Sequence, residues 1–278
     1  MTSFCLAILT ALVLSLAPTG PAAAQPADSL AAAKERGTLR IGVTQAPPWF
    51  IKDPRSGEWS GLGVLMGNQL AADLGVSPEL VEVTWGTAIA ALQADKIDIQ
   101  FIMDATPERK KVVDFPAHPV LYISLALLTR DGVQVENWAD VNREDFSIAV
   151  PQSTSMDEFL TAQVPQANIQ RFPDSAAAIA AMQSGRVDSL SLYFPPLLAA
   201  QQKLRRGQIV LPKPVHNSPT SAAIRRESDP AFLNWVDEAL YGYYTSGNTQ
   251  KWYEETLTQI GIDPKDAPPV QRELLDRQ

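Results

Sequence analysis

Short apolar runs alternate along the chain with amphipathic stretches, and Gly, Pro and Asp punctuate the changes between them. Residues 38–44 alternate apolar and polar positions and are rich in β-branched side chains, which predicts a strand opening the fold. Pro47, Pro48 and the stretch 52–57 predict a long turn. Residues 63–74 carry Leu65, Leu70 and Leu74 on one side of a helix, with Gly75 as its C-cap. A strand at 80–85, a helix at 87–94 and a strand at 97–103 follow. Strands and helices in alternation predict an α/β unit with a mostly parallel sheet. After an apolar strand at 122–129 the pattern restarts, with a strand at 146–150, helices at 155–162 and 176–183, and a strand at 187–192.

The restart is visible in the residues themselves. Ala-Ile-Ala-Ala-Leu-Gln-Ala-Asp-Lys-Ile-Asp, ending at Asp98, returns as Ala-Ile-Ala-Ala-Met-Gln-Ser-Gly-Arg-Val-Asp, ending at Asp188, with six of eleven positions identical. Each copy reads as an Ala-rich helix, a tight turn and a strand that begins at an Asp. Chance likeness between two Ala-rich helices is the alternative. A shared βαβ plan accounts for more, because it predicts two similar α/β lobes with a ligand cleft at the carboxyl ends of their strands.

Composition narrows the class. The 278 residues are 45% hydrophobic and 19% charged, with 23 Lys+Arg against 31 Asp+Glu and a formal net charge of −8. That is the balance of a globular protein with a sizeable core, and it lacks the basic excess that a nucleic-acid binder uses against phosphates. Residues 4–17 form an apolar run too short for the roughly 20 residues of a membrane-spanning helix. Pro18, Gly20, Pro21 and then Ala22, Ala23 and Ala24 follow, which predicts a signal peptide at 1–24 cleaved after Ala24, although no Lys or Arg precedes the apolar run. An uncleaved anchor is the alternative. The single Cys, Cys5, lies inside that run, so the chain beyond it has no disulfide, no thiolate metal site and no Cys nucleophile.

The chain resembles the bacterial family 3 solute-binding proteins, the periplasmic receptors of polar-amino-acid ABC importers. Leu39-Arg-Ile-Gly42, Asp98 before an apolar strand, Thr106-Pro-Glu-Arg109 with Val113-Asp-Phe115, Gly185-Arg-Val-Asp188 and the Gly247-centred helix pair carry the resemblance. The resemblance implies a two-lobed periplasmic binding protein of type II, with lobe 1 formed by 25–122 plus 220–278 and lobe 2 by 123–219. It implies a monomeric periplasmic protein without a stable membrane anchor, taking a small carboxylate-bearing solute to a membrane ABC permease, with no catalytic residues, no cofactor and no nucleic-acid partner.

The candidate site follows from single residues. Thr106 suits an N-cap, Pro107 a first helical position and Glu108 the positive end of a helix dipole, which sets Arg109 in a first turn. A guanidinium fork beside unpaired backbone N–H groups is a carboxylate receptor, and the resemblance implies the same role for Arg109. A surface pair with Glu108 or Asp114 is the alternative. Ser153, Thr154 and Ser155 open the helix after the strand at 146–150, where hydroxyls and N–H groups reach the same anion or simply cap. The resemblance puts an ammonium-binding acid where this chain has Tyr193, and Asp104 is the candidate to replace that charge from the other lobe, unless it caps the Thr106 turn. Trp49 and Phe50 are candidates to cover the ligand, with core packing as the alternative.

Other motifs carry less. The Gly61–Gly67 run lacks the preceding strand of a dinucleotide loop, and it stands where the family has a Gly-aromatic-Asp helix start, with Gly63 in place of the Asp. His118 and His216 lack metal-site spacing, no Gly-x-Ser-x-Gly elbow occurs, and Tyr241, Tyr243, Tyr244, Trp252 and Tyr253 read as helix packing. Two rival readings share the scaffold: a secreted dehydratase acting on cyclohexadienyl acids, and an accessory protein that docks another exported protein.

Overall fold

Asp28 accepts the N–H groups of Leu30 and Ala31, which caps α1 (Ser29–Arg36). The computed structural model describes residues 28–275, so the expected signal peptide, its Ala24 site and Cys5 lie outside the described residues. The first half then runs β1 (Thr38–Val43), β2 (Ile51–Lys52), β3 (Trp59–Ser60), α2 (Leu62–Leu74), β4 (Ser77–Glu82), α3 (Trp85–Gln93), β5 (Ile99–Asp104) and β6 (Val113–Asp114). β7 (Leu121–Thr129) leads into the second half: β8 (Ser147–Pro151), α4 (Ser155–Gln163), β9 (Asn168–Phe172), α5 (Ser175–Gln183), β10 (Ser189–Tyr193), α6 (Phe194–Leu204) and β11 (Gln208–Val210). β12 (Asn217–Arg225) returns the chain to the first half, where α7 (Ala231–Thr245) and α8 (Asn248–Gln259) follow.

The strands stand in the order β4-β1-β5-β12-β7-β10-β8-β9. β4, β1 and β5 form one parallel group, and β10, β8 and β9 another. Two long antiparallel strands join them. β12 pairs its first residues with the start of β7 and its later ones with β5, while β7 pairs its later residues with β10 and β11. Leu39, Ile41, Val43, Ile99 and Phe101 in the first group and Ile148, Ala149, Val150 and Leu190 in the second are wholly buried, consistent with parallel strands covered on both faces by helices.

The sequence echo is a structural joint. Asp98 Oδ2 accepts the N–H of Arg40 at 2.7 Å, and its own N–H reaches the Arg40 carbonyl at 2.8 Å. Asp188 repeats this with Ser147, at 2.8 and 3.1 Å. Each Asp thus ties the start of one strand to the parallel neighbour that precedes it. The turn before each joint is also shared: Asp95 and Gly185 occupy matching positions and both hold left-handed φ, 55° and 71°. Glycine meets that requirement without strain, and Asp is among the residues that tolerate it.

One predicted element is misplaced. The strand expected at 80–85 ends at Glu82, and Trp85 opens α3 instead. Thr84 Oγ1 accepts the Thr87 N–H at 3.2 Å, and Thr87 Oγ1 accepts the Thr84 N–H at 2.9 Å. This reciprocal cap overrides the β preference of Val83, Thr84 and Trp85.

Asp188 makes the joint testable by pH. Burial opposes its ionisation, but the N–H and hydroxyl of Ser147 and the Arg130 guanidinium, 2.5 Å away, more than offset that and lower its pKa. A depressed carboxylate pKa contributes stability that is complete above the unfolded value of about 3.9 and is lost as pH falls through the lower folded value. Asp188→Asn is expected to cost roughly 1 kcal/mol or more at neutral pH. Urea midpoints of the two proteins should converge below about pH 3.9; a gap constant from pH 7 to 2.5 would contradict this assignment.

Candidate functional site

The carboxyl ends of β5 and β10 and the start of α4 meet around one buried carboxylate. Asp104, the last residue of β5, is 6% exposed. Its Oδ1 accepts the Thr220 hydroxyl of β12 at 2.5 Å, and its Oδ2 accepts the hydroxyls of Ser155 and Tyr193. The latter two oxygens lie 3.1 Å apart. Burial first, and then the charge and hydrogen bond of Asp104, push the Tyr193 phenol well above its ordinary value, so Tyr193 is a neutral donor throughout the physiological range. Asp104 thus draws one hydroxyl from each of three other elements. It does not cap the Thr106 turn with its side chain; the Thr106 N–H goes to the Asp104 backbone carbonyl at 3.0 Å.

Arg109 lies beside this cluster, 7% exposed, its guanidinium donating to the carbonyls of Asp104 at 3.0 Å and Ser153 at 3.1 Å. The surface-pair alternative is not realised: Glu108 pairs with Lys111, and Asp114 with Arg226. The expected helix at Thr106 is a three-residue 3-10 turn, Arg109–Lys111, with Thr106 Oγ1 only 3.4 Å from the Arg109 N–H. Three residues make no appreciable dipole. The helix start beside the fork is α4 instead. Thr154 caps α4 by accepting the Asp157 N–H at 3.2 Å, which leaves the N–H groups of Ser155 and Met156 among the donors that a helix cannot pair internally. An Arg fork retains further N–H groups after two bonds, so the fork and the α4 start together suit an anion.

The cavity between these groups measures about 40 Å³ and has Asp104 and Arg109 as its charged lining. Trp49, Trp85, Ile102, Met156 and Leu192 make much of its wall, together with Thr154, Ser155 and Tyr193. Trp49 is 3% exposed and stacks on Tyr253 with ring centroids 6.1 Å apart.

Two candidates fall outside the cavity lining. Phe50 is wholly buried, edge-on to Trp85 at 6.3 Å, and fills the space over Gly63, where a Cβ would come within 2.3 Å of its ring. Trp85, hidden from the sequence reading by its assignment to a strand, lines the cavity that Phe50 does not reach. Ser153 is exposed, takes a left-handed φ of 62° and gives its carbonyl to Arg109. Thr154 lines the cavity, but its hydroxyl donates to the Pro151 carbonyl at 2.8 Å.

Ile102 was also missed. The β5–β12 register steps from Met103↔Ser221 to Phe101↔Ala222, leaving Ile102 in a bulge at φ 59°. A β-branched residue is strained there. The bulge sets Ile102 in the cavity wall while Asp104 still reaches it. No sequence signal announces such a bulge.

The remaining motifs serve packing. His118 pairs with Asp237 at 3.0 Å and packs at a tilt against Tyr241, and His216 packs at a tilt against Phe159. Among the described residues no group of three His, Cys, Asp or Glu could hold a metal. Tyr243, Trp252 and Tyr253 pack as expected, whereas Tyr241 is 49% exposed.

Removing one donor from Asp104 is informative. Tyr193→Phe leaves the buried carboxylate with the Ser155 and Thr220 hydroxyls and is expected to cost roughly 1–3 kcal/mol. At about 2–4 °C per kcal/mol for this size, calorimetry should record a clear drop in Tm. An unchanged Tm would mean that Tyr193 does not support Asp104 in solution.

Known proteins share this architecture. The chain is 27% identical over 237 residues to the ABC transporter glutamine-binding protein GlnH of Bacillus subtilis (strain 168), covering 84% of this chain and 85% of the relative. It is 24% identical to the L-cystine-binding protein TcyJ of Escherichia coli (strain K12), covering 81% and 86%. The solved structure of the ancestral amino acid-binding protein AncCDT-1, a precursor of cyclohexadienyl dehydratase, superposes with a TM-score of 0.73 at 34% identity, over 82% of this chain and 98% of that one. The model of the bacterial extracellular solute-binding proteins, family 3, matches residues 39–259. Strand order, paired lobes and family model agree, and the chain belongs to the family 3 bacterial extracellular solute-binding proteins, with the type II two-lobed fold of amino-acid-binding ABC transporter receptors.

Proposed function

We propose that this protein is an exported receptor that closes its lobes on a small carboxylate-bearing solute, an amino acid or related organic acid, and delivers it to a membrane ABC permease. The observation that carries the reading is the convergence of the Arg109 fork with the start of α4 in a cavity that also holds Asp104. The ligand carboxylate lies between that fork and the N–H groups of Ser155 and Met156. Its ammonium, where it has one, faces Asp104 and the Tyr193 hydroxyl, and Trp49 and Trp85 cover its carbon skeleton.

The lobes are 25–122 plus 220–278 and 123–219, divided within β7 and β12. The ligand touches both lobes only when they meet, so binding favours closure by its differential affinity for the closed form. The protein works as a periplasmic monomer after removal of residues 1–24. Among the described residues no helix is long and apolar enough to cross a membrane. Binding is preferred over a dehydratase activity because the Asp104 carboxylate is engaged by hydroxyls rather than by a second acid or base suited to proton transfer.

A thermal-shift panel of amino acids, keto acids, aromatic acids and dipeptides at millimolar concentration tests this on protein freed of ligand by unfolding and refolding. A micromolar ligand adds about 4 kcal/mol by mass action, a rise of roughly 8–16 °C. Arg109→Ala is expected to weaken that ligand at least tenfold in calorimetric titration, by leaving its carboxylate desolvated without a charged partner. Unchanged affinity would remove Arg109 from the site, and a flat panel with folded protein would remove the receptor reading.

A further inference from the structure

A second cavity of about 190 Å³ adjoins the first, and Ser175, Leu192 and Pro196 line both. It runs between α5 and α6, with Gln45 and Pro47 of the turn after β1 on its other side. Ile179, Leu192 and Pro196 make its wall apolar, and Ala176, Ala180, Ala199 and Ala200 keep it wide. Among the described residues Lys203 is its charged lining residue, beside the amides of Gln45 and Gln183 and the Ser175 hydroxyl. The Gln45 Oε1 accepts the Lys52 N–H at 2.8 Å, so this amide presents its N–H groups. Lys203 makes no ion pair or hydrogen bond among the described residues, and Gln183 adds a second amide. Among the described residues no carboxylate lines the cavity.

Size and charge decide what enters. At about 10–15 Å³ per water-sized group, the inner chamber of about 40 Å³ takes roughly three or four such groups, too few for a long side chain besides the group held at Arg109. A cationic tail in the second cavity would meet the Lys203 ammonium with no acid to balance it, whereas an acceptor would meet donors.

We infer that the ligand held at Arg109 extends its tail past Leu192 and Pro196 into this cavity, and that the tail is apolar along its length and ends in a hydrogen-bond acceptor, an amide carbonyl or a carboxylate. Ligands ending in ammonium or guanidinium are disfavoured. The inference rests on the receptor reading above and adds the tail that the site selects.

Calorimetric titration with 2-aminobutyrate, glutamine, 2-aminoadipate and lysine tests it, because the four share a head group and differ in the tail. Glutamine or 2-aminoadipate is expected to bind at least tenfold tighter than 2-aminobutyrate, the stronger of the two showing whether amide or carboxylate is preferred. Lysine should bind no tighter than 2-aminobutyrate. Lys203→Glu, on an exposed helix position, should move the ratio of 2-aminoadipate to lysine affinity at least tenfold toward lysine, with Lys203→Gln moving it less. Ala180→Trp, also exposed, should bring the tailed ligands down to the affinity of 2-aminobutyrate. Equal affinities for all four ligands, tighter lysine binding, or an unchanged ratio in both Lys203 variants would overturn the tail assignment. In those cases 2-aminobutyrate binding that is lost in Arg109→Ala would leave the receptor reading standing. No binding by any of the four would overturn the tail assignment, while a keto acid, aromatic acid or dipeptide that still raises the Tm would leave the receptor reading standing.

Discussion

A carboxylate buried away from water is costly unless charged or hydrogen-bonding partners replace its hydration, and the cleft is organised around one such group. Asp104 obtains its partners from β12, α4 and β10, so its hydration is replaced only when those three elements sit against the end of β5. The same requirement fixes the Tyr193 ring, the Ser155 hydroxyl and through it the start of α4. Arg109 is placed from the same strand end, since one of its bonds goes to the Asp104 carbonyl. Positive and negative charge thus share a small cavity with little direct contact between their side chains. Each keeps hydrogen-bonding capacity that its partners within the protein do not use.

The parts of this architecture that depend on local chemistry were readable from the chain. Asp98 and Asp188 stood out because each joint requires a carboxylate at one fixed offset from an Ala-rich helix. Arg109 stands out because Thr-Pro-Glu predicts a helix start beside a guanidinium fork, yet that segment forms only a three-residue 3-10 turn and the helix start beside the fork comes from α4. The pieces that depended on meeting a distant segment were not readable. Phe50 and Trp85 are both aromatic and both apolar in context, yet Phe50 fills the space over Gly63 while Trp85 lines the cavity. The bulge at Ile102 arises from the register of a strand more than a hundred residues later. Ser153 looked like its neighbours, yet its left-handed backbone turns it outward and leaves only its carbonyl to the site.

Trp49 illustrates how the C-terminal helices enter the site without touching the ligand cavity. Its indole rests on Tyr253 of α8, and Tyr253 is 1% exposed. A buried aromatic of that size fixes the plane of the ring above it more firmly than a flexible aliphatic contact. The wall of the cleft is therefore set partly by a segment some two hundred residues away in sequence, which explains why the aromatic cluster near the C-terminus read as packing and nothing more.

The division of β12 between two partners has a kinetic consequence. β5 must wait for β12 to emerge, while β8, β9 and β10 and their helices come from one continuous stretch with β7 ahead of it. Contacts between distant segments carry a larger loop-closure cost and form late. The continuous lobe is thus able to assemble first during synthesis or refolding, presenting the exposed edge of β7 as a template. β12 then registers on that edge with its first residues and closes the open side of β5 with its last, so a single strand addition completes the first sheet and seats Thr220 against Asp104.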